Sequence, residues 1–102
     1  MNTPQKGKVR YIVFKDKDIW YAAGLEFNIV ESGDSPRIAM NNLFDSMDGY
    51  IEAVRKLKGT RVSPLNQEID PEYEKMWNIL ESGKKIKQSL IINSYGTTLV
   101  NA

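Results

Sequence analysis

At 102 residues and a net charge of +1, the chain has room for one domain with a single modest core. Its 41% apolar and 26% charged content is that of a folded globular domain, which excludes disorder along the whole length. With no histidine and no cysteine, it cannot build a Ser-His-Asp or Cys-His site, a thiolate zinc centre or a disulfide. An enzyme is therefore not expected, and no catalytic, cofactor-binding or metal-binding residue is assigned.

The N-terminal stretch Met1–Gly7 is polar, contains Pro4, and reads as a frayed end. Val9–Phe14 is rich in β-branched and aromatic residues and predicts a first strand. Lys15–Asp18 is a polar break of hairpin-loop length, and Ile19–Leu25 predicts the antiparallel partner. Strict alternation places Ile19, Tyr21, Ala23 and Leu25 on one face of that strand and Trp20, Ala22 and Gly24 on the other. A brief connection, Glu26–Asn28, leads to a short third strand at Ile29–Glu31.

The pattern then changes period. Gly33 gives backbone freedom for a turn, Asp34 or Ser35 can cap a helix, and Pro36 suits its first position. Met40, Leu43, Phe44, Met47, Tyr50, Ile51, Val54 and Leu57 recur every three or four residues, predicting a helix over 36–58 that stops at Gly59. Gly49 inside it costs about 1 kcal/mol against alanine; close packing on the sheet is one reason to keep it. A loop over 60–69 follows. Asp70-Pro71 repeats the cap-then-proline start for a second, three-turn helix ending at Gly83, with Tyr73, Met76, Trp77 and Leu80 on its apolar face. In the tail, Leu90–Ile92 and Thr97–Val100 flank a turn-like Asn93–Gly96 and predict a strand or small hairpin. The fold class is thus α+β: an antiparallel sheet of three to four strands with one long helix on a face, a short second helix and a β-like tail, in a single domain over 1–102.

Trp20–Ala23, Leu25-Glu26-Phe27, the turn Gly33-Asp34-Ser35 and then Ala39, Asn42 and Leu43 resemble the HicB family of toxin–antitoxin antitoxins. The match covers about residues 8–58. Gly33-Asp34-Ser35, with "A-x-x-N-L" at Ala39–Leu43, carries most of it. Arg37-Ile38 stand where the family often has acidic residues, and residues 59–102 lack a ribbon-helix-helix or helix-turn-helix pattern. The resemblance implies the β-β-β-α toxin-neutralising domain alone. Its expected partner is a small, cationic, mRNA-cleaving toxin of the HicA type, which it would occlude without catalysis. It also implies a homo-oligomer, dimer or higher. Operator DNA binding does not carry over.

Charge is banded: +4 over 1–17, −6 over 18–54, +4 over 55–61, −4 over 62–82 and +3 over 83–102. The acidic stripe Asp45, Asp48 and Glu52 on the polar side of the long helix is the candidate surface for a basic partner, with Tyr73 and Trp77 of the second helix as candidate anchors. The bland readings are a solvated helix face for the first group and packing within the chain for the second. Tyr11, Phe14, Trp20 and Tyr21 beside Lys8, Arg10, Lys15 and Lys17 suggest base stacking as an alternative, a nucleic-acid-binding module, though core packing fits them better. Lys84, Lys85 and Lys87 read as a solvated stretch. A solitary HicB-like structural or regulatory oligomer is a further alternative. No segment is long and apolar enough to span a membrane, none resembles a secretory signal, and the expected location is the cytoplasm.

Overall fold

The structure, a computed structural model, describes residues 6–56, 69–85 and 90–101. The elements are β1 (Lys6–Asp16), β2 (Ile19–Gly24), β3 (Ile29–Gly33), α1 (Pro36–Arg55), α2 (Pro71–Glu81) and β4 (Leu90–Asn101). The strands form one antiparallel sheet in the order β3-β2-β1-β4. This is the α+β architecture the sequence predicts, with the tail supplying the fourth strand. Helix α1 ends at Arg55 with Lys56 as its C-cap, short of the predicted end at Lys58; Gly59, the loop over 60–68 and Lys87 lie outside the described residues.

Side-chain alternation divides β1 between two cores. Val9 and Val13 point to one face of the sheet, where Ala22, Phe27, Ala39, Leu43, Met47 and Ile51 meet them. Ile12 and Phe14 point to the other, with Ala23, Leu25, Met76 and Trp77. Helix α1 therefore covers one face through residues spaced by four, and α2 covers the opposite face, giving three layers. The alternation predicted for β2 holds, with Tyr21, Ala23 and Leu25 toward α2 and Trp20 and Ala22 toward α1. Each fully buried aliphatic side chain here, such as Ile12 or Leu43, contributes about 1.5–3 kcal/mol.

Both helices use the predicted caps. Ser35, not Asp34, caps α1: its Oγ accepts from the Ile38 amide at 3.2 Å, with Pro36 opening the helix. Asp70 caps α2, accepting from the Glu72 amide at 2.9 Å. At the far end of α2, Gly83 has φ +76, the Gly83 amide donates to Leu80 O and the Lys84 amide to Ile79 O. That pair of bonds is a Schellman stop, and glycine is the residue that reaches its left-handed turn without strain.

Four expectations need correction. The turn-like Asn93–Gly96 lies inside β4, a single strand of 12 residues. What reads as a turn is a bulge, where β1 register shifts between Val13 and Phe14 and passes from Ser94 to Ile92. Phe44 is 36% exposed and not in the core. It sits about 100° around the helix from buried Leu43, turned off the face that packs on the sheet. Gly49 is on the outer side of α1 with nothing within 4 Å of where a Cβ would stand, so close packing does not explain it. Finally, β1 starts at Lys6, and Gly7 is paired with Val100 where a frayed end was expected.

Candidate functional site

The outer face of α1 carries Asp45, Asp48 and Glu52, all exposed. They descend from the period of the helix: with Ala39, Leu43, Met47 and Ile51 against the sheet, the three acidic positions must face away. Among the described residues none of them takes part in an ion pair or side-chain hydrogen bond. Two large apolar side chains, Ile38 (46% exposed) and Phe44 (36%), stand on the open part of the same helix. The result, among the described residues, is an acidic surface without an ion-pair partner and with apolar points in it, the composition that suits contact with a cationic protein.

Tyr73 and Trp77 are placed differently. Trp77 is 8% exposed, edge-on to Tyr95 at 5.6 Å between ring centroids, and Tyr73 is half-buried with its ring 6.3 Å from that of Phe14. Both lie on the α2 side of the sheet, so the structure does not bring them together with Asp45, Asp48 and Glu52. Burial, with Glu72 and Asp70 nearby, raises the Tyr73 hydroxyl above its ordinary value of 10.0, so it stays protonated at neutral pH.

The strand aromatics are likewise divided. Phe14 and Tyr21 stack at 5.5 Å on the α2 side, whereas Tyr11 and Trp20 belong to the α1 side. No shared platform for bases results.

A cluster with no signature in the sequence holds α2 to the sheet. Arg10 of β1 donates from Nε to Glu26 Oε2 at 2.7 Å, and its two terminal nitrogens donate to Glu74 Oε1 and Oε2 at 2.8 and 2.9 Å. The Arg10 backbone amide also donates to Glu26 Oε1 at 2.6 Å, and its guanidinium lies 5.6 Å from the Trp77 ring centre. One arginine thus joins β1, the β2–β3 turn and α2. Its partners are 16 and 64 positions away, which is why no spacing rule could reveal them. The bonds from Glu74 and then Glu26 raise the Arg10 pKa against the opposing effect of burial, and the guanidinium in turn lowers the Glu74 carboxyl below its ordinary 4.5.

The sign of the pH dependence follows. Glu74 has the lower pKa in the folded state, so its contribution is complete above pH 4.5 and is lost as pH falls through the folded-state value. The stability difference between the native chain and Glu74→Gln should be constant at neutral pH and shrink in acid. Urea unfolding across that range checks it; a difference that grows in acid would refute the pairing.

At the sheet edge, Asn42 Nδ2 donates to the Ser32 carbonyl at 2.8 Å and Ser46 Oγ donates to Glu31 Oε2 at 2.7 Å. Ala39 and Leu43 are fully buried. Asn42, Ser46, Ala39 and Leu43 therefore dock α1 on β3 and the core.

Among the described residues there is no group of acidic side chains placed to hold a metal, and no helix long and apolar enough to cross a membrane. No family model, no curated protein and no solved structure matches the chain.

Proposed function

We propose that this chain is an antitoxin-type protein that binds and occludes a small cationic, mRNA-cleaving toxin, acting by contact and not by catalysis. The observation that carries the proposal is the outer face of α1, where Asp45, Asp48 and Glu52 are exposed beside Ile38 and Phe44 and, among the described residues, have no ion-pair partner. An acidic face of this kind attracts a cationic partner over several ångströms and orients its approach, while the apolar side chains supply area to bury. It could thereby cover the surface with which a ribonuclease holds its phosphate backbone. The resemblance of 8–58 to HicB proteins points to the same class of partner, and a cytoplasmic setting fits it.

The alternative of nucleic-acid binding through the basic strands draws less support. Arg10 is engaged by Glu26 and Glu74, Lys15 lies over the Trp20 ring at 5.7 Å, and Phe14 is buried.

The test is co-expression with the product of the neighbouring reading frame, if that product is small and basic. The native chain should co-purify with it, suppress its RNA cleavage and restore growth. Replacing Asp45, Asp48 and Glu52 together by lysine should weaken the complex by at least about 100-fold, from three desolvated or near-contact charges at ~1 kcal/mol or more each. All three positions are exposed, so the circular dichroism of the variant should be unchanged. Failure of the native chain to bind or rescue would overturn the proposal, as would full activity of the triple variant.

A further inference from the structure

The two edges of the sheet are built differently. The β3 edge has five residues, carries Glu31, and has the Ser32 carbonyl taken by Asn42 of α1. Those are ordinary ways of keeping an edge from pairing with another chain. The β4 edge has 12 residues, Leu-Ile-Ile-Asn-Ser-Tyr-Gly-Thr-Thr-Leu-Val-Asn, with no charge and no proline. Among the described residues β4 pairs with β1 alone. It also holds, among the described residues, the most exposed large apolar side chain, Leu99 at 77%, with Ile91 at 57% and Tyr95 at 41%. An open, uncharged, apolar strand of this length exposes a row of backbone donors and acceptors that another strand can satisfy.

The sequence of β4 favours its own copy as that strand. After the bulge at Asn93, the regular run Ser94–Val100 has Thr97 at its centre. We propose that two copies pair antiparallel through β4 about a two-fold axis at Thr97, forming one continuous eight-stranded sheet.

In that register Thr97 faces Thr97 of the second copy. Tyr95 then faces Leu99 of the second copy, and the same contact is repeated by symmetry. Tyr95 is on the α2 side through its contact with Trp77, and Leu99 and Thr97 share that side by alternation. The two exposed apolar side chains nearest the axis therefore cover each other. On the opposite face Gly96 meets Thr98, and Ser94 meets Val100. An aromatic–aliphatic pair and a Thr–Thr pair are favourable cross-strand neighbours. Electrostatics does not oppose the contact, because each chain has a net charge of +1 and the guanidinium nearest the axis, that of Arg10, is paired with Glu26 and Glu74. The outer face of α1 takes no part, so the pairing is independent of the toxin reading and leaves one such face on each copy.

Sedimentation equilibrium of the full chain should give twice the monomer mass. Leu99→Lys and Thr97→Lys should each weaken association by at least about tenfold, since each places a charge against an apolar or like-charged neighbour across the axis. Both side chains are exposed, and the circular dichroism should not change. The chain has no cysteine, so register can be read directly. Thr97→Cys should form a disulfide-linked dimer under mild oxidation in dilute solution, whereas Leu99→Cys, facing Tyr95, should not. A monomer at millimolar concentration would overturn the proposal. So would a dimer that survives both lysine variants, or one in which Thr97→Cys fails to cross-link, because the contact would then be elsewhere or in another register. Co-purification with a toxin is scored separately, and either result there leaves this one standing or falling by itself.

Discussion

Replacing Trp77 by alanine should cost about 3–5 kcal/mol of folding stability, the range for removing a large aromatic from a core. That is a large share of the 5–15 kcal/mol that holds a domain of ordinary stability together. The indole is 8% exposed and packs with Ile12, Phe14, Ala23, Leu25 and Met76 between α2 and the sheet. It also carries two directed contacts, the Tyr95 ring at 89° to its plane and the Arg10 guanidinium above it. Alanine would leave a cavity that α2 can close only by giving up the bonds from Arg10 to Glu74. Trp77→Phe, keeping most of the volume, should cost less than half as much. Urea midpoints at constant slope measure both. An unchanged midpoint for Trp77→Ala would mean that the ring does not hold α2 to the sheet.

That prediction also separates what the sequence makes legible about Trp77 from what it does not. Its place on the apolar face of a short capped helix follows from the spacing of Tyr73, Met76, Trp77 and Leu80. Whether that face meets the chain's own sheet or a partner does not, because periodicity gives the direction of a face and not its occupant. The answer depends on Ile12 and Phe14 pointing away from α1, which leaves an apolar surface on the second side of the sheet. Once β1 is recognised as apolar on both faces, as a strand between two layers must be, a second cover is required. Arg10 was beyond reach for a different reason. Its partners come from a turn and from a helix far along the chain, and only the closed fold makes them neighbours. The tail shows the limit of turn chemistry: Asn-Ser-Tyr-Gly is good turn sequence, but β1 offers an edge long enough for β4 to run straight past it with one bulge. The acidic positions Asp45, Asp48 and Glu52 were legible as a solvent face, and the structure adds that Ile38 and Phe44 remain open beside them.

The strand-to-helix junction carries the second large effect. Gly33→Val should cost about 3 kcal/mol, at the upper end of what overpacking does. The reason is not the one suggested by its position in a turn. Gly33 is still in β3, and its φ is not in the left-handed region, so backbone freedom is not what glycine supplies there. What it supplies is room. A Cβ would stand 2.7 Å from the Ala39 amide nitrogen, 2.7 Å from Ile38 Cγ2 and 3.0 Å from the Ile38 carbonyl carbon. Two of those three atoms are backbone and cannot rotate away, so the first turn of α1 must lift from the strand. Lifting it loosens the bond from Asn42 to the Ser32 carbonyl and the burial of Ala39 and Leu43. Gly49→Ala provides the opposite sign in the same helix, because apart from its chain neighbours and the adjacent helix backbone nothing described lies within 4 Å of its new Cβ. Relief of the helical cost of glycine should there raise stability by about 0.5–1 kcal/mol. Thermal or urea unfolding of the two variants beside the native chain tests both. If Gly33→Val unfolded at the native midpoint, close approach of α1 to β3 would not be what fixes the helix on the sheet. With it would go the account of why glycine, the Ser35 cap, Ala39, Asn42 and Leu43 occur together at that spacing.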